Sequence, residues 1–131
     1  MTQAALAAYG EVKVHSAIEG ASPTELISML FDGVSSRLNQ SLTAIEAGEI
    51  AKKGELISQT ISILEYLSAV LDEHKAPAVA DNLAGLYRYM VRTLLRANMD
   101  NDPAAIKEVN HLMGEVRNAW SEMTHNQAVG V

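Results

Sequence analysis

The chain has 131 residues, enough for one ordinary domain, and its 16 acidic and 10 basic residues give a net charge of −6. The apolar content of 48% is too high for a disordered chain, and no run of about 18 uncharged apolar residues exists to span a membrane. The lack of cysteine excludes a disulfide scaffold, a thiol nucleophile and a thiolate metal site, while the acidic balance argues against nucleic acid, which needs a basic face.

Residues 1–20 carry Leu6, Tyr9, Val12 and Val14 without a cap or a clear helical period, which predicts a loosely ordered or short-helical leader. This stretch lacks the charged start and long apolar core of a secretory signal, so a cytoplasmic protein is expected. A bundle is expected over 21–123. It opens at Ser22-Pro23-Thr24-Glu25, a capping box with proline at the first helical position. Leu26, Leu30, Val34, Leu38, Leu42 and Ile45 then step at helical spacing up to Gly48. The second run carries Ile57, Ile61, Leu64, Leu67 and Leu71 and is expected to end at His74-Lys75-Ala76-Pro77. The third carries Leu83, Leu86, Tyr87, Met90 and Leu94, with its end expected near Asn98. Asp102-Pro103 restarts the chain, and Ile106, Val109, Met113, Val116, Trp120 and Met123 form the fourth stripe. Residues 124–131 lose the period and are expected to fray.

No segment alternates with period two, and the connections are short, so neighbouring helices must run antiparallel. The predicted fold is all-α, an up-down-up-down four-helix bundle. Its helices carry more apolar residues than one stripe requires. Ile50, Leu56, Ile63, Tyr66 and Val70 on the second, Tyr89, Val91 and Leu95 on the third, and Leu112 on the fourth lie off the main seams. Such rows either widen the core or line a groove for amphipathic partner helices. They also invite self-association, which makes a homodimer one outcome of the pattern.

The chemistry points to binding, not catalysis. Glu108-x-x-His111 and Glu122-x-x-His125 have the spacing of di-iron bundle motifs, but both lie on one helix or its tail, opposite the inward stripe. His111 has no adjacent basic residue to hold a phosphoryl group, and no phosphate loop or calcium loop is present. No enzyme, metal or cofactor is expected; an interaction module is.

The wording of the helices adds to this. Ser22-Pro-x-Glu-Leu-Ile-x-Met-Leu-Phe-Asp-Gly33 resembles the signature opening of the flagellin export chaperone family, FliS. Ala44-Ile45-Glu46-Ala47-Gly48, Ile50 and Lys53-Gly54-Glu55 are similar to that family's first turn and second-helix start. Asn82-Leu83, Leu86-Tyr87-x-Tyr89-Met90, Ala97-Asn98 and Trp120 follow in the family's order, and Tyr9 matches a tyrosine of its leader. Phe31 stands where the family commonly has tyrosine.

The resemblance covers residues 9 to 123. It implies a bundle that holds the C-terminal segment of flagellin in the cytoplasm, blocks premature polymerisation and delivers flagellin to the cytoplasmic domain of the flagellar type III export gate. An adaptor for another export or regulatory protein is the alternative. The positions expected to contact the partner are Tyr9, Leu56, Ile63, Val70, Tyr89, Leu95 and Leu112.

Overall fold

The structure is a computed structural model that describes residues 20–71 and 77–129. The leader, Tyr9 included, and the expected end of the second helix at residues 74–76 lie outside the described residues. Four helices follow one another: α1 (Pro23–Glu46), α2 (Ile50–Leu71), α3 (Pro77–Asp100) and α4 (Pro103–Val129).

Their boundaries follow from local chemistry. The Ser22 hydroxyl accepts from the Glu25 amide at 3.1 Å, and the Ser22 amide donates to the Glu25 carboxylate at 2.9 Å. This reciprocal pair satisfies two of the donors that a helix start leaves open. At the other end Gly48 takes φ +76°, the left-handed conformation that glycine adopts without a Cβ clash, and reverses the chain into α2. The Asp102 carboxylate accepts from the Ala104 amide at 3.0 Å and caps α4 ahead of Pro103.

Two boundaries differ from expectation. α3 continues past Asn98 to Asp100, and Asn101, with φ 51°, takes the left-handed position instead. α4 runs on through residues 124–129, which were expected to fray, because no glycine or proline falls between Gly114 and Gly130.

α1 packs on α2 and α4, and α3 packs on α2 and α4, so the helices form a ring of antiparallel neighbours. Cross-helix pairs show the direction. Asp32 receives Arg117 at 3.0 Å and Asn39 receives Asn110 at 2.9 Å, so numbers rise along α1 as they fall along α4. The core contains Leu30, Val34 and Leu38 of α1, Ile57 and Leu64 of α2, Met90 and Leu94 of α3, and Ile106, Val109 and Met113 of α4, all fully buried. Leu56 and Ile63 belong here too. They are 8% and 0% exposed, which corrects their assignment to a partner groove. The inward faces of α2 are broad because two neighbouring helices cover it from different sides, and residues off one seam sit on the other.

Candidate functional site

Among the described residues the apolar stripes leave a space at one end of the bundle. There the start of α1, the end of α2, the start of α3 and the end of α4 surround a cavity of ≈ 290 Å³. Its walls are Ile27 and Phe31 of α1, Leu67 and Val70 of α2, Leu83 and Tyr87 of α3, and Val116, Ala119, Trp120 and Met123 of α4. Asn82 supplies a polar group to the lining. Each helix places these residues by the same three- and four-residue step that builds the core.

Phe31 and Trp120 meet edge to face, with ring centroids 6.1 Å apart and planes at 88°. This T-shaped contact sets a positive ring edge against a negative face. Among the described residues no acceptor meets the buried Trp120 Nε1, an uncommon state for a donor taken out of water. Met123 remains 43% exposed. Burial pushes the Tyr87 phenol well above the usual tyrosine range, which keeps it neutral. The cavity therefore offers apolar area and an adaptable thioether. Such a lining can seat apolar side chains of a peptide.

The expected contact residues do not gather in one groove. Val70 lines the end cavity. Tyr89 is on α3, 37% exposed, and its hydroxyl donates to the Glu108 carboxylate. Leu95 is 55% exposed on the same helix. Leu112 is half-buried on α4 and packs against the core. Sequence reasoning placed Leu67, Tyr87 and Trp120 on the inward stripes without seeing that they also wall a cavity. Their period is that of core residues; only their place at the helix ends distinguishes them.

Glu108 accepts from Tyr89, and His111 pairs with Glu115 at 3.7 Å on the solvent side of α4. Among the described residues no three His, Asp or Glu side chains converge on a point. No helix among them is long and apolar enough to cross a membrane.

Comparison with known proteins decides the family. The family described as flagellar protein FliS matches residues 5–127. The chain is 43% identical to the flagellar secretion chaperone FliS of Salmonella typhimurium, over 94% of this chain and 92% of that one. It is 41% identical to FliS of Escherichia coli, over 88% of this chain and 85% of that one. The flagellar secretion chaperone FliSB of Pseudomonas aeruginosa is 36% identical, over 92% of this chain and 96% of its own length. The chain belongs to the FliS family.

FliS wording and geometry now meet in one place. Within the Ser22–Gly33 motif, Ser22 and Glu25 form the cap, Leu30 and Phe31 are buried, and the Gly33 carbonyl accepts from Arg37 at 3.3 Å. Lys53-Gly54 and Ala97-Asn98, far apart in sequence, are in contact: the Lys53 ammonium reaches Asn98.

Proposed function

We propose that this chain is a cytoplasmic chaperone of flagellin export. In this reading it binds the C-terminal segment of flagellin, keeps that segment from polymerising prematurely, and presents flagellin to the cytoplasmic domain of the export gate. The observation that carries the reading is the open apolar end of the bundle, in a member of a flagellar secretion chaperone family. A partner segment that orders on binding must bury a large surface to offset its lost chain entropy. The cavity supplies an anchor for the apolar side chains of such a segment. Tyr89, Leu95 and Leu112 extend the contact along the outer faces of α3 and α4, and the leader around Tyr9 contributes to flagellin binding or to the export gate.

A pull-down of flagellin with and without its C-terminal segment tests this. Capture only when the segment is present is expected, and Val70→Glu should abolish it while leaving helicity intact. Equal capture of both forms would overturn the reading. Deletion of residues 1–20 should change flagellin affinity or export; a deletion that left both unchanged would remove the leader from the mechanism.

A further inference from the structure

The charge of the chain is unevenly divided. Residues 82–99 of α3 contain Arg88, Arg92 and Arg96 and no acid, while the rest of the chain holds 7 basic and 16 acidic residues. A stretch of +3 therefore sits in a remainder of −9. The three arginines recur every four residues, so they stack along one helix face over about 12 Å. All three are exposed. None makes an ion pair or hydrogen bond among the described residues, although acids are abundant elsewhere.

Apolar side chains share this face. Leu95 is 55% and Met99 79% exposed; Leu95 lies between Arg92 and Arg96 along the helix, and Met99 follows Arg96 by three residues on the same face. Beside them the seam between α2 and α3 forms a groove of ≈ 320 Å³, lined by Glu65, Ser68, Tyr87, Arg88, Val91 and Arg92. It shares only Tyr87 with the end cavity.

We infer that the outer face of α3 is a second docking surface, one that takes an acidic amphipathic helix of a protein partner. The occupant follows from charge and shape. Carboxylates spaced every three or four residues on one helix can reach arginines spaced every four on another. The apolar stripe of the same helix would cover Leu95 and Met99, in the mode of a helix laid in a groove. A long phosphate backbone or an anionic membrane is a poorer match, because each extends beyond this face to the −9 of the remaining chain, whereas a single helix laid along the arginines does not. This surface lies outside the end cavity; it shares Leu95 with the flagellin contact proposed above and rests on that reading only there, and Val70→Glu separates the two, because it should abolish flagellin capture and leave the acidic helix bound.

The test uses the full chain and a labelled synthetic helix about 20 residues long, with Glu on one edge and Leu on the adjoining face. Fluorescence anisotropy should show binding that weakens as salt is raised. The triple variant Arg88→Glu, Arg92→Glu, Arg96→Glu should bind about tenfold more weakly or worse, with circular dichroism unchanged. Leu95→Ser with Met99→Ser should weaken binding without altering the salt dependence, and Val70→Glu in the end cavity should leave it intact. Equal binding of a peptide with Lys in place of Glu would overturn the inference, as would an unchanged affinity of the triple variant. A salt-sensitive dimer of the chain, abolished by the triple variant, would assign the face to a second copy and also overturn it. Retention on phosphatidylserine vesicles that the triple variant loses would do the same in favour of a membrane.

Discussion

The Lys53 ammonium donates to both oxygens of Asn98, to the backbone carbonyl at 2.8 Å and to the side-chain amide oxygen at 2.7 Å. Lys53 is only 3% exposed and belongs to the first turn of α2, whereas Asn98 lies in the last turn of α3. The last carbonyls of a helix have no intrahelical donor, and that end carries partial negative charge. The ammonium thus takes the place of a cap for α3 and fixes the ends of two helices together. Lys53→Met and Asn98→Ala should each lower unfolding free energy by about 1–3 kcal/mol, because the first leaves part-buried Asn98 without its donor and the second leaves the buried ammonium with the backbone carbonyl alone. The double variant should lose less than the sum, since the side-chain bond is removed by either change. Urea titration of all four proteins measures this; additive losses would show that the two residues do not act through one another.

Burial separates Ile63 from Leu95, although both lie off the main stripe of their helices. Ile63 is fully buried and Leu95 is 55% exposed. Ile63→Ala should cost about 2–5 kcal/mol, from lost apolar transfer and the cavity left behind. Leu95→Ser should change stability by about 0.5 kcal/mol or less. Chemical denaturation decides between them, and a neutral Ile63→Ala would return Ile63 to the partner surface.

How much of this was legible beforehand can be argued from particular residues. Ser22, Gly48 and Asp102 announce their boundaries because caps and left-handed turns demand specific side chains, so the helix count and the bundle follow directly. Asn98 misled for a related reason. It is a residue that tolerates the left-handed conformation, but Lys53 engages its side chain and Asn101 makes the turn. Leu56 and Ile63 were misplaced because a helix with two covered sides has a stripe wider than any one seam. The end cavity was hidden altogether. Phe31 and Trp120 have core spacing, and only the meeting of four helix ends around them reveals the space beside them.

Trp120 is the single tryptophan and walls the cavity, so it reports on occupancy. A flagellin segment seated there should shift its emission to shorter wavelength as water leaves the indole. Trp120→Phe should change stability by only about 1 kcal/mol or less, because the lost ring volume and the relief of an unsatisfied N–H oppose each other. Phe31→Ala, which removes the fully buried ring that meets Trp120, should cost about 3–5 kcal/mol. Saturating flagellin with no change in emission would place its segment elsewhere on the bundle.

The start of α1 should respond to acid. The Ser22 backbone amide, and after it the Ser22 side chain, hold the Glu25 carboxyl below its usual range. Folding therefore favours the ionised form, so the contribution of Glu25 is present above its unfolded value of about 4.3 and is lost as pH falls through the lower folded value. Glu25→Gln keeps an acceptor for the Ser22 amide but removes the charge that favours a helix N-terminus. Thermal melts of both proteins from neutral pH downward should show the native chain ahead at neutral pH, with its lead shrinking below about pH 4.3. A lead that stays constant across this range would mean that the carboxylate charge does nothing for the cap and that the hydrogen bond alone holds it.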